Sequence, residues 1–151
     1  MFMKTQTRIL GTIDILIGIY LIWTLVTLFE SVGEFVKNEI TMTILIVGLL
    51  IGGVGLWIKI KIGWIANQLT GIHILLSLLA GIIMGIKGDS IVDDNDISFV
   101  LFGLIVLIGG RLLWTNKQRW LNEFKISNKL RLITLFIGTI PSLIFILKGY
   151  D

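Results

Sequence analysis

Five apolar blocks separated by short charged stretches organise this chain, over about 9–29, 40–58, 65–86, 97–114 and 132–147. Blocks this apolar cannot face water along their length, and in lipid a helix satisfies their backbone hydrogen bonds internally. Four of them are close to the ~20 residues that a ~30 Å hydrocarbon core requires. The fifth is shorter and carries Pro141. Starting it at Leu130, with Arg131 snorkelling to the interface, brings it near the lower limit. The pattern predicts an all-α integral membrane protein, one membrane-embedded domain over 1–151 built as a bundle of five transmembrane helices. The alternative is four spans followed by a short Pro-kinked fifth helix.

The charged stretches orient the bundle. With the N-terminus inside and the chain alternating, the inside holds Lys4, Arg8, Lys59, Lys61, Arg111, Lys117, Arg119, Lys125, Lys129 and Arg131, ten of thirteen basic residues. Outside are Lys37, Lys87 and Lys148, together with Glu30, Glu34, Glu39, Asp89, Asp93, Asp94, Asp96 and Asp151. Lys and Arg in short loops set orientation, so the expected topology is N-terminus inside, C-terminus outside. The basic start MFMKTQTR before an apolar run resembles a signal peptide. The run is longer than an ordinary signal core, however, and no A-x-A-like site follows, so it reads as a retained first span.

The loops are short, which makes sequential helices antiparallel neighbours. KIKIGW (59–64) is a tight turn, with Trp57 and Trp64 placed for an interfacial aromatic belt. The acidic loop KGDSIVDDND (87–96) lacks the spacing of a calcium loop and reads as solvated. Within 116–126, Trp120, Leu121 and Phe124 share a helical face among basic residues, as a short interfacial helix would require. An ordinary solvated connector fits the same residues.

Small residues line up at helical spacing on every span. The expected close-packing positions are Gly11 and Gly18 in the first, Gly48, Gly52 and Gly55 in the second, and Ser77 and Ala80 in the third. Gly103 and Gly110 follow in the fourth and Gly138 in the fifth. Lipid gives helices no hydrophobic reason to associate, so close approach at small residues and shared hydrogen bonds must hold the bundle together.

Composition removes several function classes. Hydrophobic residues make up 55% of the 151, too many for a soluble domain of this size. The net charge of +3 sits at helix ends rather than along one face, so no nucleic-acid partner is expected. Without cysteine and with one histidine, neither a thiolate nor a His-rich metal site can be built, and no metal or other cofactor is expected. Nucleophile-elbow, zinc-protease and nucleotide-loop motifs are absent in any fitting context, so the chain is not expected to be an enzyme.

Strongly polar residues inside or at the edges of the spans are Asp14, Asn67, Gln68, His73 and Arg111. In this topology they share the cytoplasmic half of the membrane. Asp14 lies about 7–8 Å in from the start of its block, and His73 roughly 12 Å in. A structural reading pairs Asp14 with Arg111 to lock helices together. A functional reading makes the cluster a cytoplasm-facing site for a proton, ion or small solute, as in a small transporter or channel. The sequence favours a non-catalytic protein of a bacterial plasma (inner) membrane, in contact with lipid. Its expected role is packing against other membrane chains or itself, as an oligomer or an accessory subunit.

Overall fold

The computed structural model describes residues 2–28, 40–87 and 95–148. Among these the chain is all-helical, with six helices and no strand. They are α1 (Phe2–Leu28), α2 (Ile40–Trp57), α3 (Lys61–Lys87), α4 (Asn95–Thr115), α5 (Gln118–Glu123) and α6 (Asn128–Lys148). Two of them are long and apolar enough to cross a membrane, over Thr5–Thr27 and Lys61–Ala80. Met42–Trp57 and Val100–Thr115 are shorter apolar helical stretches. Each expected span falls on a helix, and most helices run past the apolar block into polar flanks. The acidic loop falls, over 88–94, outside the described residues. The backbone of α6 is helical through Pro141.

The chain forms two compact units, Met1–Thr70 and Gly71–Asp151, with the division inside α3. In the first, α1 packs on α2 and α2 on the start of α3, both in antiparallel register. A Cβ on Gly11 would lie 2.5 Å from the carbonyl oxygen of Gly53, and one on Gly18 would lie 2.9 Å from the Leu50 side chain. On the other side of α2, Gly48 faces Thr70, Gly52 faces Asn67, and Gly55 faces Gly63. As one position rises by seven the other falls by seven, which is how two antiparallel helices keep contact. At Gly55 and Gly63 a Cβ on either would run into the other's backbone, so only hydrogen fits there.

The tight turn follows from this approach. Helix α2 ends with Lys59 in the left-handed region, φ 58°, while the Ile60 N–H donates to the Gly55 carbonyl at 3.0 Å. This six-to-one closure satisfies a carbonyl that the end of the helix leaves without an intrahelical partner. Trp57, 45% exposed, donates its indole N–H to Thr12 Oγ1 at 2.9 Å beneath the Arg8 guanidinium. Trp64 departs from the belt expectation. It is fully buried, because the glycine contact beside it draws the start of α3 against α2.

The second unit is closed differently. Gly71 meets the Leu112 side chain of α4, and the chain then turns through α5 into α6. The short helix expected within 116–126 forms over Gln118–Glu123. Its aromatic face turns inward: Trp120, Leu121 and Phe124 are buried to 2% exposure or less, and Ile126 to 8%. Trp120 meets the ring of Trp114 edge-on at 5.2 Å and stacks on Phe124 at 6.0 Å. Lys125 ends α5 in the left-handed region, φ 53°, with the Ile126 N–H donating to the Leu121 carbonyl at 2.8 Å. Ser127 Oγ then caps α6 by accepting from the Leu130 N–H at 3.2 Å. Arg131 Nε donates to Asn116 Oδ1 at 3.1 Å and ties α6 to the end of α4.

Three expected packing positions differ. Ser77 is exposed, and a Cβ on Gly103 or Gly110 would meet nothing within 4 Å among the described residues. Identical helical spacing marks a face without saying what, if anything, lies against it. Ala80 and Gly138 are buried.

Candidate functional site

Three of the five expected polar residues fall in the first unit. Asp14 is 1% exposed, Asn67 4% and Gln68 fully buried. The α2 glycines put Asp14 and Asn67 on opposite sides of one point. A Cβ on Gly53 would lie 3.1 Å from Asp14 Cβ, and one on Gly52 would lie 3.2 Å from the backbone nitrogen of Asn67. The backbone of α2 is thus bare where the polar residues of α1 and α3 approach it. Asp14, Asn67 and Gln68 each have an interaction partner.

His73 and Arg111 belong to the second unit. Each is of intermediate exposure and each has an interaction partner. Within the first unit, Asp14 of α1 and Asn67 of α3 approach α2 at Gly53 and Gly52.

Two threonines join this core that the sequence reading did not place in the polar cluster. Thr7 is fully buried and Thr70 is 7% exposed. A signal for Thr7 was present: 7, 11, 14 and 18 fall on one helical face, extending the Gly11, Asp14 and Gly18 stripe by one turn. Thr70 lies three positions after Asn67 on the same side of α3.

A buried carboxylate with two carboxamides and two hydroxyls can bind a proton or a small cation through oxygen atoms. The same groups can serve to join three helices. Among the described residues no three His, Cys, Asp or Glu side chains are grouped to hold a metal. No protein-family model matches the chain, and neither a curated protein nor a solved structure does.

Proposed function

We propose that this chain is a non-catalytic, multi-pass plasma-membrane protein that acts through helix packing, as an oligomer or as an accessory subunit of a membrane complex. It crosses the bilayer five times, N-terminus inside and C-terminus outside. The observation that carries this reading is an inverted burial pattern. Thr7, Asp14, Asn67, Gln68, Thr70, Thr115 and Thr134 are buried, while Trp23, Leu107, Leu113 and Phe136 are 68–75% exposed. Water would favour the reverse, whereas lipid accepts apolar side chains and drives polar ones together. Helices of 18 to 27 residues are about 27–40 Å long, which matches a ~30 Å core.

Gly103 and Gly110 support the packing role. Each costs helix stability relative to alanine, and neither is used for a close contact among the described residues. Seven positions apart, they leave one side of α4 low enough for a helix of another chain. Replacing both with leucine should weaken self-association or partner capture, measured by cross-linking in membranes, while the thermal stability of the single chain is retained. Undiminished association would sink the reading. Sidedness is tested with cysteines at Lys61 and Asp93 in this Cys-free chain. An impermeant thiol reagent on intact cells should label position 93 and spare 61.

A second reading, a small transporter or channel, draws on the buried Asp14, Asn67 and Gln68. Its test is solute or proton uptake into vesicles, which Asp14→Asn would abolish while the chain stays folded.

A further inference from the structure

We propose that the elbow joining α4 to α6 is a binding collar for the phosphate headgroups of anionic phospholipids. This deepens the membrane reading above and rests on it. Residues 111–131 carry six basic side chains, Arg111, Lys117, Arg119, Lys125, Lys129 and Arg131, against one acid, Glu123. Lys117, Arg119, Lys125 and Lys129 are all exposed.

Two further observations make this more than a solvated charge run. First, the elbow is a folded element. Trp120, Leu121, Phe124 and Ile126 are buried beneath it. The Asn116 and Lys117 N–H groups, donating to the Leu112 and Trp114 carbonyls, fix its start, and the Lys125 turn and Ser127 cap fix its end. The basic side chains therefore radiate from a held backbone, and less freedom is lost when they engage a ligand. The aromatic face that could have entered a membrane is occupied internally, so the outer surface of the elbow is polar.

Second, the collar directly borders exposed apolar helix. Leu113, 75% exposed, stands four residues before Lys117, and Leu132, 66% exposed, stands three residues after Lys129. A ligand matching this surface has an anionic phosphate at one level and hydrocarbon immediately beside it. That is the chemistry of an anionic phospholipid. A free phosphate or a nucleic acid would use the basic part and leave the apolar border in water.

Juxtamembrane Lys and Arg attract anionic lipid by about fivefold per residue near the surface, an effect that salt weakens. The experiment uses the full chain, delipidated in neutral detergent, with phosphatidylglycerol and phosphatidylcholine of equal chain length titrated and followed by native mass spectrometry. Phosphatidylglycerol should bind at least tenfold more tightly. The fourfold variant Lys117→Gln/Arg119→Gln/Lys125→Gln/Lys129→Gln should lose that preference, and Arg119→Gln alone should lower it about fivefold. The double variant Lys59→Gln/Lys61→Gln, on a different loop, should keep it.

The proposal is overturned by an unchanged lipid preference in a fourfold variant with native helicity, or by an equal loss in the Lys59/Lys61 variant. It is also overturned if inorganic phosphate at millimolar concentration displaces the lipid, which would make the site one for a free anion. For a fourfold variant that does not fold, Arg119→Gln decides by the same criterion. Alkaline carbonate extraction separates the two levels. A chain retained in the membrane without lipid preference fails this inference alone, and a chain released by carbonate fails the membrane reading itself.

Discussion

Glycine closes the first unit and aromatic rings close the second, and the two solutions tolerate change differently. Around α2, Gly11, Gly53, Gly55 and Gly63 let backbones meet where no Cβ fits. Polar side chains sit in the resulting seams, where burial against other polar groups replaces burial of bulk. Around α5 the contact is made by Trp114, Trp120 and Phe124, while a Cβ on Gly103, Gly109 or Gly110 would meet nothing within 4 Å among the described residues. A glycine interface fails when anything is added, and an aromatic one fails when something is removed.

The largest expected effect lies in the aromatic unit. Trp120→Ala should cost about 3–5 kcal/mol, since it empties a fully enclosed ring site. Reversible unfolding in detergent measures it, and proteolysis at the elbow should rise in parallel. A loss below about 1 kcal/mol would mean that the elbow is not held by its rings. Next, Gly63→Ala should cost about 1–3 kcal/mol through backbone overlap with Gly55. If Gly63→Ala were as harmless as the same change at Gly103, the contrast between the units would collapse.

A smaller loss, about 1 kcal/mol, is expected for Asn116→Ala, which removes the acceptor of Arg131 Nε. Arg131 is half-buried and can turn toward solvent, which limits the effect. Asn116 Nδ2 also donates to the Leu112 carbonyl at 2.9 Å. Asn116→Asp loses that donor but keeps the acceptor of Arg131, so equal losses in both variants would assign the effect to the Leu112 bond instead. The smallest effects are gains. Gly103→Ala should stabilise α4 by up to about 1 kcal/mol, because nothing among the described residues opposes a methyl group there. Lys125→Gly should stabilise the elbow by about 1 kcal/mol, because φ 53° suits glycine better than lysine. A loss of stability in the isolated Gly103→Ala chain would reveal an intramolecular contact at that face.

The chain itself determined which residues are helical. Long apolar blocks bounded by charge leave no other regular structure for most of their length, and α1 to α4 and α6 fall on them. The Gly11–Asp14–Gly18 face of α1 was equally legible, because helical spacing turns a list of small and polar residues into one buried side. What the spacing could not carry was the identity of the neighbour. Ser77, Gly103 and Gly110 follow the same rule as Gly11 and Gly18, yet Ser77 is exposed and a Cβ on either glycine would meet nothing within 4 Å among the described residues, since contact depends on where a second helix lies. Trp64 and Trp120 likewise read as interfacial because they stand beside basic residues. Tertiary structure buried both, one drawn in by the closest glycine contact and the other by two aromatic neighbours. Depth along a helix is a property of sequence, but which residues share a seam is settled only when the helices pack, as Asp14 and Asn67 do on either side of α2.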